Sequence, residues 1–333
     1  SVSAMVSAAS VVLTTAGPFA LYGTPVVKAC VEHGTHYVDI TGETPWVREL
    51  IDRFHDEAAA NATRIVPFCG YDSVPSDIGV WMMVDHIRRT WDEGTALVRG
   101  AFAMPGAGMN GGTLASALNM SSMKQTKRLL DPVLLNPAEA RTAELRVANP
   151  DPRGTVYDHD LKRWLCPFVM GTVNTRVVRR SHALLSAEGR GYGDDFRYEE
   201  WHDAGTRRRA IAGTGLLASA ALMLSNPLSR SAIRLLGPKP GEGPSEEKQA
   251  RGYVRTRYVA RTDSGRVVQG KMEFKGDAGN QLTVLMLCES ALALATQLPE
   301  LPARGGVLTP ATALDGVLLQ RMREAGVTWA VPS

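Results

Sequence analysis

The first hundred residues alternate short β-branched runs with amphipathic stretches. Val11-Val12-Leu13-Thr14-Thr15 ends in Gly17-Pro18, and His36 to Thr41 and Arg64 to Phe68 repeat the pattern. After the first run, Thr24 offers an N-cap, Pro25 the first helical position and Gly34 the stop. Thr44-Pro45 opens the next helix, where Trp46, Val47, Leu50, Ile51, Phe54 and Ala58 recur at helical spacing. Asp77 is placed to cap a further helix carrying Ile78, Trp81, Val84 and Ile87. Strands separated by helices in this way predict right-handed βαβ units and a parallel sheet.

The pattern changes near residue 95. Leu97 to Met104 predicts a strand, Thr113 to Leu130 a helix, and residues 131–165 a polar connection without clear period. Arg197 to Trp201 reads as another strand. Val254, Thr256, Tyr258 and Ala260 alternate along one face, and Val268, Met272 and Phe274 follow across the Asp263-Ser264-Gly265 turn. Strands joined by so short a turn run antiparallel. A long helix is expected from Asn280 to Gln297, and a last one from Thr309-Pro310 to Gly326. The fold class expected is α/β: a parallel-sheet domain over residues 1–95, then an α+β domain with a mixed or antiparallel sheet over 96–300.

Composition narrows the function. With 333 residues, 44% hydrophobic and 21% charged, the chain has material for a sizeable core, which excludes a disordered chain or a disulfide-stapled miniprotein. A net charge of +3 is too mild to require a nucleic-acid partner. Cys30, Cys69, Cys166 and Cys288 form no CxxC pair and read as reduced thiols of a cytoplasmic protein. The opening Ser1-Val2-Ser3 lacks signal-peptide character, and no run of 18 apolar residues predicts a transmembrane helix. The seven histidines show no HxxxH or HExxH spacing, so no metal is assigned, and the absence of GxSxG disfavours an α/β-hydrolase.

Candidate chemistry gathers where the parallel strands end. Thr14 to Phe19 lies at the carboxyl edge of the first strand, the edge at which open α/β sheets bind ligands. Gly17 there either lets a cofactor approach the backbone or simply makes a βα turn. Gly70-Tyr71-Asp72-Ser73-Val74-Pro75-Ser76-Asp77 follows the third strand, and Asp72, with no capping task, points to the same rim as Gly17 and Glu43. A GxGxxG string at Gly106 to Gly111 follows Pro105, and no β-rich run succeeds its helix. It therefore reads as a glycine-rich loop of the second domain rather than a pyrophosphate site, although its helix N-terminus suits an anion. Arg176, Arg179 and Arg180 share one helical face, either a solvated one or a contact for a phosphate-bearing substrate. Residues 210–224 are almost wholly apolar and follow Arg207-Arg208-Arg209. They form either a buried helix or an interfacial one, and Arg230 and Arg234 favour contact with an anionic membrane surface.

Taken in order, Val11 to Phe19, His36 to Glu43, Gly70 to Asp77, Gly243-Pro244-Ser245-Glu246-Glu247 and Gly305 to Ala311 resemble the saccharopine dehydrogenase-like oxidoreductases, most nearly their actinobacterial trans-acting enoyl reductases. The resemblance covers essentially the whole chain. It implies a Rossmann domain binding NADP (or NAD), a second domain closing over it, and a C-terminal helix, within 301–333, returning to the first. Such proteins begin with a strand, a glycine-rich turn and a helix that hold the pyrophosphate. The ten residues before Val11 read instead as the end of a helix, so residues 1–95 are expected to be a partial Rossmann domain that, without that turn, binds NADPH weakly or not at all and leaves these 333 residues inactive. The cofactor contacts implied are Thr15, Gly17, Pro18 and Phe19, with Asp39, Gly42 and Glu43 farther along the rim. Hydride would pass to the β-carbon of an unsaturated thioester on a small-molecule or carrier-bound lipid or polyketide substrate. Tyr22 and Asp72 are the candidates for hydrogen-bond donor and proton source. Two alternatives stand beside this reading: a reductase of imine or amino-acid adducts, and a non-catalytic lipid-surface protein that retains the fold. A homodimer and peripheral contact with the plasma membrane through 207–236 complete the expectations.

Overall fold

The computed structural model describes residues 1–104, 114, 118, 126–236, 239 and 243–332. The Gly106–Gly111 string and most of the helix expected over 113–130 lie outside the described residues. Elsewhere, two sheets carry the fold. In the first, β1 (Val11–Thr14), β2 (His36–Asp39), β3 (Arg64–Val66) and β10 (Gly306–Val307) lie side by side in that order, all parallel. Every residue of β2 and β3 is buried, as strands covered on both faces require. The helix α1 (Val2–Ser7) packs on α2 (Phe19–His33), and α3 (Thr44–Ala60) buries the whole predicted stripe from Trp46 to Ala58.

One boundary differs from the expectation. α2 begins at Phe19, and Pro25 lies inside it. The Thr24 hydroxyl is not a cap; it accepts a hydrogen bond from the Trp46 indole at 2.9 Å. A proline within a helix forfeits a backbone bond, and here the true start is fixed by a carboxylate described below. The stop at Gly34 is as expected: its φ of 70° is the left-handed conformation that glycine adopts without penalty.

The second sheet has the order β11-β9-β8-β4-β7-β6-β5. Its strands are β4 (Thr95–Ala103), β5 (Val156–Asp158), β6 (Arg163–Pro167), β7 (Arg197–Gly205), β8 (Tyr253–Thr262), β9 (Val267–Lys275) and β11 (Thr328–Ala330). Only β4 and β7 run parallel; the other pairs are antiparallel. The predicted hairpin is in register, with Val254 opposite Phe274, Thr256 opposite Met272 and Ala260 opposite Val268. The stretch 131–165, read as aperiodic, contains β5 and the start of β6. α5 (Thr126–Leu129) lies just before it, and a 3-10 turn (Ala138–Ala140) and α6 (Ala143–Ala148) lie within it.

α4 (Val74–Trp91) and α7 (Gly171–Ser186) pack against each other between the sheets. α7 carries Arg176, Arg179 and Arg180, and all three are buried rather than solvated. They hold the 129–135 connection by its carbonyls. Arg176 donates to Leu129 (2.9 Å) and Asp131 (3.2 Å) and pairs with Asp151, while Arg179 donates to Pro132 (3.0 Å). Arg180 donates to the Leu135 carbonyl and, at 2.6 Å, to that of Val307 in β10. A planar fork of five donors suits such rows of acceptors, so these guanidiniums serve the fold and offer no face to a phosphate. Burial lowers Arg180 to about 9.

α8 (Arg207–Ser225) and α9 (Pro227–Leu236) follow β7, and α10 (Glu246–Ala250) precedes β8. α11 (Thr283–Thr296) follows β9 and lies against β1 and β2, so the second half of the chain covers the first sheet. The expected last helix is divided at Leu314 into α12 (Pro310–Ala313) and α13 (Asp315–Glu324). The tail does more than return a helix to the first domain: it gives β10 to one sheet and β11 to the other. Asp77, expected to cap α4, instead accepts from the Ala311 amide of α12 at 2.7 Å and from the Ser181 hydroxyl of α7. One buried carboxylate thereby ties three helices.

Close approach of α4 to the second sheet depends on Gly79. An added Cβ would lie 2.4 Å from Cζ and Oη of Tyr258, a fully buried ring whose hydroxyl donates to the Pro75 carbonyl at 2.7 Å. Gly79→Ala is expected to destabilise the protein by about 1–3 kcal/mol. A urea unfolding midpoint equal to that of the native protein would show that the ring yields freely.

Candidate functional site

The loops after β1, β2 and β3 meet at the carboxyl edge of the first sheet and are laced together by hydrogen bonds. Asp39, at the end of β2, is fully buried; its carboxylate accepts from the Thr41 amide (2.9 Å), the Phe68 amide (3.2 Å) and the Tyr37 hydroxyl (2.9 Å). The Thr41 hydroxyl in turn accepts from the Glu43 amide at 3.0 Å. Glu43 then reaches across to α2, where its two oxygens accept from the amides of Phe19 (2.9 Å) and Ala20 (3.0 Å). A carboxylate at a helix N-terminus satisfies orphan donors and faces the positive end of the helix dipole. The turn before α2 is closed by Gly17 donating to the Thr15 carbonyl (3.0 Å) and Ala16 to the Thr14 hydroxyl (3.1 Å).

This lacing sorts the residues expected to contact a cofactor. Thr15 and Gly17 are exposed, and Pro18 and Gly42 are half-buried, so these four form the surface of the rim. Phe19, Asp39 and Glu43 are buried beneath it and shape it from behind. The Phe19 ring stacks on Trp46 with centroids 5.8 Å apart. No amide of the first turn of α2 is left for an anion, because Phe19 and Ala20 bond to Glu43, and Leu21 and Tyr22 to the Pro18 carbonyl. A Thr15-Ala16-Gly17 turn, exposed and bare of large side chains, suits the flat face of a nicotinamide rather than its phosphates.

The proposed acid and donor fare differently. Asp72 is half-buried at the entrance to α4, and burial pushes its carboxyl up to about 6. Tyr22 stands 62% exposed on α2, without the enclosure that would make a phenol an effective donor. Behind Asp72 lies a buried polar group that sequence reasoning missed. Glu200 of β7 is fully enclosed and accepts from Ser76 Oγ (2.7 Å), Tyr198 Oη (2.7 Å) and Asn174 Nδ2 (2.6 Å). Asn174 Oδ1 accepts from Ser73, the neighbour of Asp72, at 2.8 Å. Burial first, opposed by these hydrogen bonds and reinforced by the charge of Asp72, raises Glu200 to about 7. The signal available was Tyr198-Glu199-Glu200, in which two polar residues at strand spacing share a face.

The saccharopine dehydrogenase NADP binding domain profile matches residues 1–66, which hold β1, α2, β2, α3 and β3. Apo saccharopine dehydrogenase (L-Glu forming) from Saccharomyces cerevisiae has a similar fold, with a TM-score of 0.50 at 8% identity over 100% of this chain and 87% of that one. With the relatives that follow, the matched domain makes this a saccharopine dehydrogenase-like, NAD(P)-dependent oxidoreductase. A trans-acting enoyl reductase of Mycobacterium bovis is 36% identical over 347 residues, covering 97% of this chain and 80% of the relative. A Mycobacterium tuberculosis protein named for the same activity is 38% identical over 347 residues, with 98% and 80% covered. The chain belongs to the trans-acting enoyl reductase family.

The Glu200 carboxyl has a testable pH signature. Its pKa rises from 4.5 to about 7 on folding, so the folded state holds a proton that the unfolded chain has lost. Its contribution to stability is complete below pH 4.5 and disappears as pH rises through about 7. Glu200→Gln removes the titration while keeping the shape. Urea midpoints at pH 5 and pH 8 should fall with rising pH more in the native protein than in the variant; parallel behaviour would show that Glu200 does not titrate there.

Proposed function

We propose that this protein reduces an enoyl thioester with NAD(P)H, its substrate being a lipid or polyketide chain held on a carrier. The observation that carries this reading is the pairing, on one sheet edge, of an exposed small-residue turn with a half-buried carboxyl of raised pKa. Family membership supports the reaction class, since the mycobacterial relatives carry that activity in their names.

Thr15, Ala16, Gly17 and Pro18 would seat the nicotinamide, with Gly42 beside them. When bound, the reduced ring supplies a hydride for the β-carbon. The protein must then hold the negative charge that develops on the thioester and deliver a proton to the α-carbon. Asp72, at about 6, lies in the range in which a carboxyl both holds a proton and releases it near neutrality. The Ser73-Asn174-Glu200 chain fixes the loop that carries it. Glu43 and Asp39 keep the turn and the loop in register without touching substrate.

Two substitutions test the assignment. In a chain that also carries the glycine-rich turn, Gly17→Val places a branched side chain on the rim and should abolish NADPH binding in calorimetry while the thermal midpoint shifts little. Asp72→Asn should lower kcat with an enoyl thioester by about 10²-fold or more, with the KM for NADPH changed less than about twofold. Equal turnover by Asp72→Asn would remove it from the proton step. NADPH oxidation with an imine-forming amino-acid pair, and not with enoyl thioesters, would replace the enoyl reading.

A further inference from the structure

Among the described residues, the segment 207–236 has little part in the core: Ala210 is its one buried hydrophobic residue. α8 leaves the end of β7, and its first two turns are seated on the second sheet. Ala210 is buried, and a Cβ added to Gly213 would meet Cys166 Sγ at 2.9 Å. The Thr214 hydroxyl bonds to Thr155 at 3.0 Å and to the Ala210 carbonyl. From Gly215 onward the helix stands clear: nothing lies within 4 Å of an added Cβ there, and Leu216 and Leu222 are 74% and 73% exposed. The chain then bends by 105° into α9, where Leu228 and Leu235 are 82% and 81% exposed.

Two features say what covers this surface. The first is charge: residues 204–241 contain Arg207, Arg208, Arg209, Arg230, Arg234 and Lys239 and no acidic residue. The basic residues flank the apolar stretch 210–229 rather than interrupt it. The second is the state of the polar groups within that stretch. Ser219 donates to the Gly215 carbonyl (2.8 Å) and Ser225 to the Leu222 carbonyl (2.7 Å), so their hydroxyls are turned back onto their own helix. On α9, helical spacing sets Leu228, Ala232 and Leu235 on one face and Arg230 on the opposite one. The free part of α8, 11 residues from 215 to 225, is about 16 Å long. That reaches through a headgroup layer and falls short of the ~30 Å hydrocarbon core.

We propose that α8 and α9 are a docking foot for an anionic lipid bilayer. The apolar end of α8 and the Leu228–Leu235 face of α9 enter the interfacial layer, and the flanking arginines meet lipid phosphates. Bent as it is, the pair lies on one leaflet and spans nothing. This inference is independent of the reductase reading.

Flotation with vesicles tests it, using phosphatidylcholine alone and phosphatidylcholine with about one-third phosphatidylglycerol. The native chain should float with the anionic vesicles and at least tenfold less with the neutral ones, and half-molar salt should release it. A variant with Leu216, Leu222, Leu228 and Leu235 changed to Ser should lose binding at least tenfold. Because these side chains are exposed, its circular dichroism and thermal midpoint should match the native protein. Arg207, Arg208 and Arg209 changed to Gln should bind both vesicle types equally weakly. Equal flotation of the native and leucine variants would overturn the proposal. So would an absence of vesicle binding together with a native dimer that the leucine changes dissociate in sedimentation equilibrium, which would give the surface to a second copy of the chain.

Discussion

Both oxygens of Glu43 accept from the opening amides of α2, and much of the site depends on that contact. Hydrogen bonds to a charged group are each worth about 1.5–3 kcal/mol, and here they also neutralise the positive end of a 15-residue helix. They decide where α2 starts, six residues earlier than Pro25, and so how the Gly17-Pro18 turn is presented. The relay through Thr41 to Asp39, and from Asp39 to Phe68, carries the same constraint to the third loop. A rim assembled in this way is positioned by buried carboxylates, and its exposed surface stays free of charge where a nicotinamide would lie.

The interior between the two sheets follows a related principle. Asp77 joins α4, α7 and α12, and Arg180 joins α7 to β10, each through polar groups away from water. Burying such groups costs several kcal/mol unless every partner is in place, so they gain little over an apolar core in stability. What they fix is geometry: a hydrogen-bonded carboxylate tolerates far less sliding than a leucine face.

Periodicity in the chain made the first sheet legible. The β-branched runs, the Thr44-Pro45 start and the Trp46-to-Ala58 stripe express local rules that survive in the fold, as does the β8–β9 hairpin. Three readings failed where a distant partner overrode local preference. Pro25 signals a helix start, but Glu43 provides one earlier. Arg176, Arg179 and Arg180 have the spacing of a solvated face, but the carbonyls of 129–135 await them. Asp77 has the form of a cap for α4 and bonds to a helix more than 230 residues later. The rim was legible as a place, because ligands gather at strand ends, while the division between residues that surface it and residues that brace it needed the hydrogen bonds. Glu200 escaped for the same reason: the Tyr198-to-Glu200 spacing hints at one partner, but Ser76 and Asn174 come from two distant helices that no local pattern announces.

The tail that lends β10 to one sheet and β11 to the other has a consequence for how the molecule is made. During synthesis the chain emerges from its N-terminus, and β3 and β9 are both ready long before their neighbours exist. Each sheet therefore waits with an unprotected edge until residues 306–330 have appeared. Pairings of such long sequence separation also close slowly. Residues 306–330 complete both halves together, so the growing chain carries two open sheet edges until they are made, and its two sheets mature as one event.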